Sequence, residues 1–264
     1  MLKRLLELPG RTIDLVTAAG PGPAVYYLVD EEVQGVLINA PPYDDRLAEA
    51  LNTVAPLKFI FLPSHLGARD IDRWRSASGA ETMAYGAEIP HISGTVDIEL
   101  EKQSKLTRTI DFLPMSGRTE GTCALRLRNK PGVIFFGPVL SAAGDSGWPT
   151  LIPNADDYSY ENRVFGTLGL QDLKYEYAFT DVFEEGRTRF GPGASEAIRD
   201  ELDRALDLSA YKGAISEAHC TGQRLFLMHC ASVIASYLIA ALEMGCLREL
   251  SCWVGEDLSV FVFV

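Results

Sequence analysis

Short apolar runs separated by polar turns dominate the first two-thirds of the chain. Residues 25–30 (VYYLVD) and 36–41 (VLINAP) are β-rich runs around a charged turn closing on Gly35, the pattern of a hairpin. From Asp44 to Asn52 the apolar positions Leu47, Ala48 and Leu51 change the period to that of an amphipathic helix. Residues 57–63 (LKFIFLP), broken only by Lys58, predict a buried strand. Asp70 begins a second helix through Trp74 and Ala77, which Gly79 stops, and a strand at 81–85 follows.

Further β signals fall at 95–100, 108–115, 122–128 and 133–137, the last two joined by the turn Asn129-Lys-Pro-Gly132. Residues 141–162 are rich in Gly, Ser, Pro and Asp and predict a loop. A strand near 175–180, a Gly/Pro loop at 186–193 and a helix from Ser195 to Leu206 complete the body. Strands alternating with helices and interspersed with hairpins predict an α/β (α+β) class built on mixed sheets.

Composition removes several functions. With 36 acidic against 24 basic side chains the net charge is −12, a field that repels phosphate backbones, so no nucleic acid is expected as partner. Five cysteines without a CxxC pair support neither a zinc ribbon nor a thioredoxin-type centre. The first ten residues carry Glu7 and Pro9 where a signal peptide needs an apolar run, so a cytoplasmic, reduced setting is expected.

The order of these segments resembles the metallo-β-lactamase superfamily, a four-layer αβ/βα sandwich. VYYLVD…GVLINAPP resembles that family's opening hairpin, and FIFLPSH stands where its first metal loop begins. SGRTEGTCAL at 116–125 resembles the PGHTPGS segment, and VIFFGPVLS at 133–141 the strand that ends in Gly-Asp. The resemblance spans about residues 10–207 and implies a dizinc hydrolase whose ligands come from an HxHxDH loop, the PGHT histidine, the bridging aspartate and a late histidine. Here only His65 matches that loop in full. Gly67 stands for its second histidine, Arg69 for its aspartate and Asp70 for its last histidine. Arg118 replaces the PGHT histidine, Pro138 the bridging aspartate, and Thr180-Asp181 occupy the region of the late one. Glycine and proline bring no donor and arginine no free lone pair, so no dizinc site is expected.

What the resemblance then implies is a degenerate member acting by binding or structure. Arg69 and Arg118 would enter the vacated cavity with Thr119 and take over the role of zinc. They would pair with Asp70, Asp72 or Asp181, with Asp145 nearby, and offer a site for a small anionic ligand. The alternative is a divergent hydrolase with His65 and Asp70 as catalytic pair, metal-free or holding one divalent ion. Ser64, Ser116 and Ser141 lack the GxSxG elbow of a serine nucleophile. The pair Asp156-Asp157 reads as solvated charge.

After about residue 208 the composition changes. Residues 225–242 contain no charged side chain, but His229, Ser232 and Ser236 put a narrow polar stripe on any helix there. Such a segment suits a packed helix, a homodimer contact or membrane attachment, the last making the chain a membrane-associated scaffold. Residues 1–207 and 208–264 are therefore read as a folded domain and a separate tail.

Overall fold

The computed structural model describes residues 1–17, 21–170 and 172–206. The packed-helix, homodimer and membrane readings placed on the tail lie outside the described residues. Among those described, no helix is long and apolar enough to cross a membrane.

Seven strands make the first sheet in sequence order: β1 (Leu2–Leu8), β2 (Arg11–Val16), β3 (Val25–Asp30), β4 (Gln34–Ile38), β5 (Leu57–Leu62), β6 (Glu81–Tyr85) and β7 (Ile98–Leu100). The first four are antiparallel, and β4 to β7 run parallel. The second sheet has the order β11–β10–β9–β8, built from β8 (Ile110–Pro114), β9 (Cys123–Leu127), β10 (Val133–Phe135) and β11 (Tyr177–Phe179). The two hairpins foreseen at 25–41 and 122–137 thus fall in different sheets, as an αβ/βα sandwich requires.

Alternate side chains explain why these strands read as continuous apolar runs. Tyr26, Leu28, Val36 and Ile38 face Phe135 and Phe179 across the seam between the sheets. Their neighbours Tyr27 and Leu37 face the other way, under α1 (Asp45–Val54) and α2 (Ile71–Ser78), where Leu47, Leu51, Ile71 and Trp74 cover them. On the far side, α3 (Tyr160–Leu168) and α4 (Ala194–Ala205) cover the second sheet, with Ile198 and Leu202 against Ile134 and Phe136. Strands buried on both faces lose the polar half of the alternation.

The helix ends obey local chemistry. The Asp44 carboxylate accepts the Leu47 N–H at 2.9 Å and caps α1, and Ser159 does the same for α3 through Asn162 at 3.1 Å. Asp70 does begin α2, but in the left-handed region at φ 47° and with its side chain bonded elsewhere.

Two differences from the sequence reading matter. The first sheet begins at Leu2, not near residue 10: β1 is an edge strand with a register shift between Arg4 and Leu6, and that bulge hides the period of two. The loop expected over 141–162 gives way at Tyr160 to α3, which carries the fully buried Arg163.

Candidate functional site at the strand ends

The carboxyl ends of β4, β5, β10 and β11 meet at one pole of the sandwich, the place where α/β sheets present binding groups. Backbone bonds hold them together: Asn39 N–H donates to Phe61, Cys123 N–H to Pro63 and Asp181 N–H to Gly137.

His65 opens a 3-10 turn, His65–Gly67, directly after β5. Its ring Nδ1 and its backbone N–H both reach Glu88 Oε2, each at 2.6 Å. Glu88 is fully buried in a 3-10 segment, Gly86–His91, that follows β6. Its other oxygen accepts from Thr119 Oγ1 at 2.6 Å and from the Gly121 N–H at 2.7 Å. One buried carboxylate therefore joins the His65 turn to the turn before β9. With Nδ1 engaged, the half-buried imidazole has Nε2 left to bind a proton, a hydrogen-bond donor or a metal ion.

On the other side of the 3-10 turn, the Asn39 amide donates to Asp181 Oδ1 and to the Ala24 carbonyl, both at 2.8 Å. Asp181 Oδ2 and Asn39 Oδ1 are buried without a hydrogen-bond partner among the described residues. Burial pushes the Asp181 carboxyl up to about 7, against the smaller opposing pull of the Asn39 amide and the Arg118 charge. Asn39 adopts φ 61°, a conformation asparagine tolerates better than most residues. Ala24 N–H in turn donates to the Asp181 carbonyl, and Gly22, two residues earlier, lies against Arg69. A Cβ on Gly22 would lie 1.4 Å from an Arg69 terminal nitrogen, so the guanidinium rests on bare backbone. Among the described residues Arg69 has no ion-pair partner.

The remaining residues singled out from sequence are placed differently. Arg118 is paired, but with the Asp156 carbonyl at 3.0 Å and the Asp156 carboxylate at 2.9 Å, and with Asp157 at 3.6 Å, rather than with Asp70, Asp72 or Asp181. The cause lies in the backbone: Tyr158 and Ser159 donate their N–H groups to the carbonyls of Arg118 and Gly117, which fastens this acidic loop beside the turn. Asp157 is not solvated charge, because its carboxylate accepts from buried Arg163 at 2.6 Å. Asp70 is exposed and accepts the Tyr43 N–H at 2.9 Å, while the carboxylate that His65 meets is that of Glu88. Asp72, also exposed, accepts the Thr95 N–H at 2.9 Å, a bond that holds its carboxyl below the ordinary range. Asp145 is exposed in its loop, and Thr119 is buried against Glu88, so neither contributes a free group to the pole. Glu88 itself was not foreseen. Its only sequence signal is an acid set among small and apolar residues in GAEIPH.

Two open clefts, of about 330 and 440 Å3, lie elsewhere. The first is lined by Arg11, Glu31 and Lys130 among others, the second by Tyr85 and Glu99 to Lys102.

No protein-family model matches the sequence, and no curated protein does. Solved structures do. The metallo-β-lactamase from Pontibacter korlensis is 13% identical with a TM-score of 0.55, covering 75% of this chain and 96% of its own. The metallo-β-lactamase from Hirschia baltica is 14% identical with a TM-score of 0.54, covering 74% and 96%. BJP-1, a subclass B3 metallo-β-lactamase of Bradyrhizobium japonicum, is 13% identical with a TM-score of 0.52, covering 77% and 92%. The chain has the metallo-β-lactamase fold.

The residues at the pole do not fit the zinc centre which that fold implies. A side chain at position 67 would have its Cβ 1.9 Å from Asn39 Oδ1, so the asparagine fills the space a ligand there would need. Arg118 is a cation turned towards Asp156, and Pro138 has no donor. Among the described residues no three His, Cys, Asp or Glu side chains converge as a metal site.

Proposed function

We propose that this chain is a degenerate metallo-β-lactamase-fold protein that acts by binding a small anionic ligand at the strand-end pole, not by dizinc hydrolysis. The observation that carries the reading is the clasp of Asn39 on Asp181 beside Gly67: the asparagine amide fills the space a side chain at position 67 would need and is bonded to the Asp181 carboxyl. Water activation by zinc needs at least three protein donors around the ion, and this arrangement supports no such set.

Arg69 supports the choice of an anion. It rests on Gly22 with no ion-pair partner among the described residues, in a chain of net charge −12 where Arg118 and Arg163 are each paired with an aspartate. A guanidinium in that setting offers a planar fork for a carboxylate or phosphate.

The test has two arms. Purified chain is assayed against a chromogenic β-lactam and a thioester with zinc and with chelator, and no chelator-sensitive turnover is expected. Inorganic phosphate and acetate are titrated while the arginine side-chain resonances are followed, with saturable shifts expected at Arg69 and lost in Arg69→Ala. Hydrolysis abolished by chelator and restored by zinc overturns the reading, as do anion shifts that survive Arg69→Ala.

A further inference from the structure

His65 has a neighbour outside the family pattern. His91, the last residue of the 3-10 segment that carries Glu88, brings its ring centre to 5.2 Å from that of His65, with the planes tilted by 44°. The two rings are therefore not stacked in parallel. His91 is exposed, and among the described residues no hydrogen bond holds its ring, so either of its nitrogens can be presented.

We propose that His65 Nε2 and His91 form a two-imidazole site for a single divalent transition-metal ion of the borderline class, such as Co2+, Ni2+ or Zn2+. With metal–nitrogen bonds of about 2.0–2.1 Å, a tetrahedral ion between two imidazoles holds the ring centres roughly 5 Å apart, close to the spacing seen here. The second argument is independent of that distance. A ligating histidine is ordinarily oriented by a carboxylate on its other ring nitrogen, and Glu88 does this for His65 from a fully buried position at 2.6 Å. The same carboxylate lies on the segment that ends in His91, so one short stretch of chain orients one imidazole and supplies the other.

The donor set decides the class of ion. Imidazole selects cobalt, nickel, copper and zinc over magnesium and calcium, which want several oxygens. Among the described residues no third His, Cys, Asp or Glu side chain joins the pair as a ligand. Two protein donors make an exchangeable site whose open positions fall to water or to a donor atom of a small molecule. That is distinct from a dizinc hydrolytic centre, and its failure would leave the anion-binding reading where it stands.

Cobalt titration of the full chain tests this, because its visible bands report imidazole coordination and a separate ultraviolet charge-transfer band reports thiolate. We expect saturable visible bands without the thiolate band. They should disappear in His91→Ala and in His65→Ala, persist in a His219→Ala/His229→Ala variant, and be displaced by Ni2+ but not by Mg2+. His91 is exposed, so its variant should keep the circular dichroism of the parent. Visible bands that survive His91→Ala, that appear only with the thiolate band, or that fail to saturate at millimolar cobalt overturn the proposal.

Discussion

Asn39 and Asp181 follow the ends of strands in different sheets and are joined by a single 2.8 Å hydrogen bond whose far oxygens, one on each residue, are buried without partners among the described residues. That bond satisfies half of the aspartate and leaves the other half desolvated. Its carboxyl therefore holds its proton up to about pH 7.

The pH dependence follows from that shift. In the unfolded chain Asp181 titrates near 3.8, and in the folded chain at about 7, so folding favours the protonated form. The associated stability is fully present below about pH 4 and is lost as pH rises through 7, by about 4 kcal/mol at most. Urea denaturation at about pH 5 and about pH 8 should show a lower midpoint at the higher pH. Asp181→Asn should remove most of that difference.

Arg163 is the cation the fold depends on. It is fully buried, donates to Asp157 at 2.6 Å and to the carbonyls of Val139 at 2.7 Å and Ile152 at 3.0 Å. Arg163→Met leaves a buried carboxylate and two carbonyls without that donor, at a cost of about 3–5 kcal/mol. Arg118→Ala should cost much less than that, because its main partner Asp156 is 74% exposed and Asp157 keeps Arg163. Denaturant midpoints of the two variants should separate widely, and equal midpoints would contradict the assignment.

Gly67 and Asn39 should be coupled. Gly67→Ala places a methyl against Asn39 Oδ1 and should destabilise the fold by about 1–3 kcal/mol through overpacking. Asn39→Gly keeps the positive φ and vacates the space, so the double variant should lose less stability than the two single losses added together. A double-mutant cycle with no interaction energy would show that the two residues do not compete for one volume.

Glu88→Gln should be worse than an isosteric change usually is. Each Glu88 oxygen faces an obligatory backbone donor, His65 N–H at one and Gly121 N–H at the other. An amide there must set its own NH2 against one of them, leaving buried donors unpaired at about 1–3 kcal/mol. The same substitution changes the partner of the His65 ring from a carboxylate to an amide, and its imidazole resonances should shift. A Glu88→Gln variant as stable as the parent, with an unchanged His65 signal, would deny the carboxylate its role.

Most of the sandwich is legible in the sequence because its central strands are covered on both faces: VYYLVD and LKFIFLP can only be interior. The edge is not, since the bulge at Arg4/Leu6 spoils the alternation of LKRLLEL and gives it a spacing closer to a helix. The missing zinc ligands could be counted along the chain, because Gly67 and Pro138 carry no donor whatever the fold does. The partners that replaced them could not. Arg118 turns to Asp156 through backbone bonds made by Tyr158 and Ser159, some forty residues away, and nothing in SGRTEG announces them. Glu88 is hidden for the same reason: its partners Thr119 and Gly121 lie some thirty residues downstream.

Glu88 also bears on how the molecule comes apart. Its segment follows β6 of the first sheet, while Thr119 and Gly121 lead into β9 of the second. Oil-like faces alone would let the two layers glide or peel from one another a little at a time, since dispersion falls off smoothly and has no direction. A charge riveted across the rim has no such intermediate: either it keeps all its donors or it must find water, and water reaches it only once the layers have separated. The sandwich should thereby be brittle instead of pliant, its halves melting together in one transition.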